Sequence, residues 1–204
     1  MAALAAVNSV GESVVALLRA RRDLLAAEAQ LGPVPAALDI AHASLSRLAT
    51  AAPPTAGLTL SCTRIAMSDH PRPRTRPGDA NIALELHYLM TAWSSAPVEE
   101  QSILAWAMLE LAIHPVLDRS VLVGAGIWER DETVQIVPET ATDEALFRIW
   151  AALQLKYRLC TTFRARVIRI GYPVTPTWPA VVATRFAFAD TDPLAEPAGA
   201  GGGA

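Results

Sequence analysis

The run from Ile82 to Trp93 restricts this chain more than any other stretch. Ile82, Leu84, Leu86, Tyr88, Met90 and Ala92 are apolar at every second position, and Ala83, Glu85, His87, Leu89, Thr91 and Trp93 make a mixed set between them. A period of two predicts a long strand with one face buried. At roughly 3.3 Å per residue, Leu84 to Trp93 spans on the order of 30 Å. That is enough to act as the spine of a sheet.

A second long alternation runs from Tyr157 to Ile170. One parity carries Tyr157, Leu159, Thr161, Phe163, Ala165 and Val167; the other carries Arg158, Cys160, Thr162, Arg164, Arg166 and Ile168. The second face is basic, so Arg158, Arg164 and Arg166 face solvent, line a channel or meet an acidic neighbour. Shorter runs predict strands over Leu58 to Ile65, over Thr133 to Val137, where Pro138 ends the pattern, and over Val181 to Phe188 behind the extended leader Pro173, Pro176, Pro179.

Helical spacing takes over elsewhere. From Ala5 to Gln30 apolar residues recur at three, four and seven, and Gly32 and Pro33 end the pattern. Its arginines, Arg19, Arg21 and Arg22, are diluted by Asp23 and Glu28 and read as a solvated face. Pro35 to Ala52 reads as a short helix or a covered loop. Pro97, Glu99 and Glu100 open a helix that runs to His114. Its body, Ile103 to Ile113, is apolar on nearly every face, with Glu110 its one charge. Such a helix is covered on more than one side, by its own fold or by another subunit. Thr140 and Asp143 suggest a cap for a last helix, whose stripe of Leu146, Ile149, Trp150 and Leu153 packs on the sheet.

The elements predict an α+β fold with one central mixed or antiparallel sheet flanked by helices. The expected divisions are a helical segment over 1–54 packing on the core, an α/β core over 55–189 and a disordered Gly/Ala tail over 190–204. Between the first two strands, Asp69 to Asp79 holds Pro71, Pro73, Pro77 and Gly78 and reads as a projecting loop. Arg72, Arg74 and Arg76 would share one side of it, facing an acidic partner or solvent.

Composition narrows the function. The net charge is −3 and the pI about 5.8, which excludes the basic field of a general nucleic-acid binder. No apolar run approaches the ~20 residues needed to span a bilayer, and the arginines behind the first apolar segment do not make an export signal. The expectation is a cytoplasmic protein without membrane insertion. Cys62 and Cys160 read as two buried, reduced thiols.

Catalytic signatures are missing. His42, His70, His87 and His114 form no ligand spacing, the Gly124-Ala125-Gly126 turn lacks the rest of a phosphate cradle, and no activated serine or cysteine is apparent. Glu85 and His87 share the mixed face of the spine and are expected to hydrogen-bond to each other structurally. With Tyr157 they are the only candidates for an alternative reading as a small-ligand binder or enzyme. No catalytic residue, cofactor or metal is predicted.

The succession LELHYLMTAW at 84–93, ILAWAMLELAIHPVL at 103–117 and TDEALFRIWAALQLKYRLCTTFRARVIRI at 142–170 resembles the tube-terminator, or cap, subunits of phage-tail-like contractile injection systems. The resemblance spans about Leu58 to Phe188. It implies a subunit that forms a hexameric ring on the distal end of an inner tube, stops tube growth and engages the last sheath ring. The partners it implies are further copies of the chain, the tube protein and the sheath protein. Candidate contacts to tube or sheath are then Arg72, Arg74, Arg76, Arg158, Arg164 and Arg166, and candidate subunit contacts are Trp93, Ile103, Trp106, Leu109 and Ile113. An adaptor elsewhere in the same particle, such as the baseplate, would share these features.

Overall fold

In chain order the elements are α1 (Ala6–Ala27), β1 (Asp39–His42), α2 (Leu45–Thr50), β2 (Gly57–Met67), β3 (Asp79–Trp93), α3 (Pro97–Ile113), β4 (Val116–Leu117), β5 (Val134–Glu139), α4 (Asp143–Leu153) and β6 (Cys160–Pro173). They come from a computed structural model that describes residues 2–50, 54, 56–69, 79–124 and 126–173, all within one compact unit, Met1–Val174. The three-arginine loop, the leader beyond Pro173, the expected strand over 181–188 and the tail lie outside the described residues.

The strands form one sheet in the order β1-β2-β3-β6-β5-β4. β1 runs parallel to β2, and every other pairing is antiparallel. The spine β3 is flanked by β2 and β6, with Met90 opposite Leu60 and Thr161, and Tyr88 opposite Cys62 and Phe163. It is not half-buried as its alternation predicts. Leu84, Leu86, Tyr88, Met90 and Ala92 are buried, and so are Glu85, His87, Leu89, Thr91 and Trp93. The polar residues between the apolar ones are covered by a second layer.

That second layer explains the fold. On one face, α1 and α3 close the main core, in which Val10, Val14, Leu18, Ile103 and Leu111 pack with Leu60, Leu86, Met90 and Phe163. On the other, α2 and α4 close a smaller core of Leu48, Leu89, Trp93, Leu146 and Trp150. The result is helix, sheet, helix, each layer burying an apolar stripe that would otherwise meet water.

Several local features depart from the sequence pattern for identifiable reasons. β1 was not expected; its four residues contain one buried side chain, Ile40, too little to establish a period. β5 runs through Pro138 because β4 reaches only as far as Gln135, leaving that position on an open edge where no N–H is required. α4 is capped by Thr142, whose hydroxyl accepts the Ala145 N–H at 3.3 Å, not by Thr140. β6 begins at Cys160, leaving Tyr157 and Arg158 in the connection before it.

β6 also bulges. Leu86 pairs with Ala165 but Leu84 with Ile168, so two residues of β6 oppose Glu85. The parity therefore switches, and Ile168 and Ile170 join Phe163 and Ala165 in the main core instead of continuing the arginine face. A matching irregularity in β2 leaves Thr63 over between Cys62 and Arg64.

The arginines of α1 are tethers, correcting the solvated-face reading. Arg19 Nε donates to the Ile40 carbonyl at 2.9 Å, Arg22 donates to the Leu38 carbonyl, and Arg21 Nε meets Glu110 at 2.8 Å. The glycine turn at 124–126 is likewise structural. Ser9 and Ser13 of α1 bond the Val123 carbonyl and N–H, and Trp128 Nε1 donates to Ser9 at 3.0 Å. Gly124 has φ of 102°, and a Cβ there would lie 2.4 Å from Ile127, so the turn requires glycine.

Candidate functional site

The bulge in β2 aims a charged side chain onto the α4 face of the sheet. Arg64 lies opposite His87 because Thr63 takes up the extra position. Its guanidinium donates to His87 Nε2 at 2.9 Å. A guanidinium has no acceptor, so Nε2 holds a lone pair and the ring proton sits on Nδ1, which donates to Glu139 at 2.8 Å. Both ring nitrogens are thereby engaged. Thr162 fixes the end of β5 by donating to the Glu139 carbonyl at 2.7 Å.

One step along β3, Glu85 turns away from His87, against expectation. It accepts from Arg164 Nη1 at 3.0 Å and from Ser68 Oγ at 3.1 Å. A cross-strand pair on β3 and β6 is held this way at a mostly covered position. The four charged groups, Arg64, Glu139, Arg164 and Glu85, alternate in sign around His87. Arg64, His87 and Glu139 line a cleft of about 670 Å³, together with Arg148, Ile149 and Leu153 among others.

The other predicted arginines have different surroundings. Arg158, outside the strand, sets its guanidinium 5.6 Å from the Trp93 ring centroid, a cation–π contact. Arg166 is half-buried on β6 opposite Gln135. The basic strand face is thus largely divided between carboxylate and aromatic partners. Sequence reasoning missed Arg64 and Glu139 because bulge positions and a contact across 52 residues leave no periodic trace.

Among the candidate subunit contacts, Trp93, Ile103 and Trp106 are spent on this chain's own cores, a correction to their expected place on a surface. Leu109 and Ile113 are 58% and 55% exposed. With Gln101, Ala105, Met108 and Ala112, also exposed, they form an uncharged stripe along the outer side of α3. Glu110, the one charge in the helix body, points inward to Arg21.

Burial pushes the thiols of Cys62 and Cys160 above their ordinary range, which suppresses the thiolate. Both are half-buried and free, less enclosed than the sequence implied. Trp150 Nε1 donates to Cys160 at 3.5 Å. Among the described residues no cluster of three or more potential ligands could hold a metal, and no helix is long and apolar enough to cross a membrane.

The mixed sheet between two helical layers is similar in fold to a solved terminator of a contractile particle. It matches the sheath/tube terminator of PVC, an extracellular contractile injection system, in its extended state, with a TM-score of 0.51 at 17% identity over 89% of this chain and 64% of that one. The anti-feeding prophage tube-terminating cap aligns at a TM-score of 0.47 and 14% identity, over 82% and 60% respectively. This chain therefore spans less than two thirds of either structure's length. The Pvc16 N-terminal domain model matches residues 9–184. The chain belongs to that family, the tube-terminator family to which the sequence resemblance pointed. The match also takes in most of α1, which the resemblance had not covered. No match is found among curated proteins.

Proposed function

We propose that this chain is a structural cap: six copies close the distal end of the inner tube of a contractile injection system, stop its growth and engage the last sheath ring. The family match over 9–184 carries this reading. The geometry supports it. The polar groups beside the cleft are committed to one another, and α3 presents an uncharged outer stripe suited to another protein surface. In this reading the chain is made in the cytoplasm, does no chemistry on a substrate, and meets tube and sheath through its basic groups. Arg72, Arg74 and Arg76 are the first candidates.

The test is imaging of tubes polymerised from the cognate tube protein, with and without this chain. The expected result is a ring on one end and a shortened, narrowed length distribution. Tubes with bare ends and unchanged lengths would remove capping from the account.

A further inference from the structure

We infer that copies of this chain join head to tail, with the exposed Phe147–Tyr157 pair of one copy filling the apolar groove between α3 and β5 of the next. The inference rests on the ring reading above and assigns the contact that builds the ring. Both halves of the joint occur in a single copy, on opposite faces of the sheet.

The groove exists because β4 begins only at Val116, opposite Gln135, and leaves the last residues of β5 without an outer neighbour. It encloses about 250 Å³, with Met90, Met108, Leu111, Ile136, Pro138 and Phe163 among its walls. Methionines make such a wall adaptable to an aromatic ring and contribute sulfur–aromatic contacts. Met108 and Ala112 belong both to the groove and to the exposed α3 stripe, so the apolar surface continues outward to Leu109 and Ile113.

The knob is on α4 and the connection after it. Phe147 is 58% and Tyr157 46% exposed, and their ring centroids lie 5.0 Å apart. Trp150, buried beneath, sits 6.1 Å from Tyr157 and holds that ring in place. Two adjacent aromatic rings, backed by a fixed tryptophan and left in water, have the composition of an interface anchor.

Charge selects the pairing. Among the described residues, the one charged side chain lining the groove is the Glu139 carboxylate, and the exposed Lys156 adjoins Tyr157 of the knob. Arg148, Lys156 and Arg158 are the bases nearest the knob in sequence. A knob-to-knob or groove-to-groove dimer would bring like charge together, whereas knob-to-groove brings opposite charge together. A contact between two different patches is heterologous and, where its rotation closes, repeats around a ring.

Met108→Glu destroys the groove and Phe147→Lys the knob, both at exposed helix positions, with circular dichroism confirming that each variant stays folded. In sedimentation velocity from micromolar to millimolar concentration, the wild type is expected to associate, and each variant alone to lose at least tenfold in self-affinity. An equimolar mixture of the two is expected to form dimers and nothing larger, because such a mixture retains one intact knob and one intact groove. A wild type that remains monomeric throughout, a variant that associates as the wild type does, or a mixture that stays monomeric overturns the inference. If the wild type caps tubes while the mixture stays monomeric, the joint lies elsewhere and the capping reading stands. If the mixture dimerises while tube ends stay bare, the joint stands and capping fails.

Discussion

Tyr88 sits at the centre of the spine strand, stacked on Phe163 with centroids 5.2 Å apart and tilted against His42 at 6.1 Å. Its hydroxyl is buried and has no hydrogen-bond partner among the described residues. Burial pushes its pKa far above the ordinary tyrosine range. The sign of the effect follows: below pH ~10 the hydroxyl is neutral in folded and unfolded chains alike, and its contribution is fully present. Above that, only the unfolded chain releases the proton, and stability falls by up to about 1.4 kcal/mol per pH unit. Tyr88→Phe keeps the stack and removes the proton. The variant is expected to equal or exceed the wild type at pH 7, by up to about 1–3 kcal/mol because a buried unpartnered hydroxyl is costly, and to exceed it by a wider margin at pH 11 in denaturant unfolding. An equal difference at both pH values would show that this hydroxyl does not ionise on unfolding.

At the scale of elements, α1 and α3 are coupled by a charge pair. Glu110 is 3% exposed at its side chain and Arg21 is 27%. Removing the arginine leaves a buried carboxylate whose remaining basic neighbour among the described residues is His114, at 3.8 Å. Arg21→Met should therefore cost about 2–4 kcal/mol. The double variant with Glu110→Leu should recover most of that loss, since no buried charge remains unpaired; additive losses in a double-mutant cycle would show that the pair is not coupled. The same helices show what a sequence reveals. α1, α4 and the long strands were legible because each repeats its period over many residues, and α3 because Pro97, Glu99 and Glu100 mark its start and Pro115 its end. β1 and β4 are too short to repeat, and Pro138 could be accepted as strand only once the open edge was known. The bulges in β2 and β6 reverse parity without any marker residue, so the partners of His87 and Glu85 were unreadable although both residues had been singled out.

At the scale of the whole molecule, the N-terminal helix decides whether the sheet can exist as a soluble layer. Val10, Val14, Val15, Leu17 and Leu18 are all buried in the cluster that contains Ile40, Leu58, Leu60 and Tyr88, and Ala2 donates its N–H to the Arg169 carbonyl at 2.9 Å. At roughly 1.5–3 kcal/mol for each buried aliphatic side chain, those five contribute on the order of 8–15 kcal/mol. That gross contribution is as large as the whole net stability of an ordinary domain, about 5–15 kcal/mol. Deleting residues 1–31 should thus leave no cooperative unfolding transition by circular dichroism or tryptophan fluorescence, while the full chain loses α1 and the sheet together. The groove and the α4 knob would disappear with it, although neither touches the deleted segment, because both are shaped by a sheet that α1 keeps dry. A truncated chain that melted sharply within a few degrees of the full one would mean that α3 and α4 alone can cover the sheet.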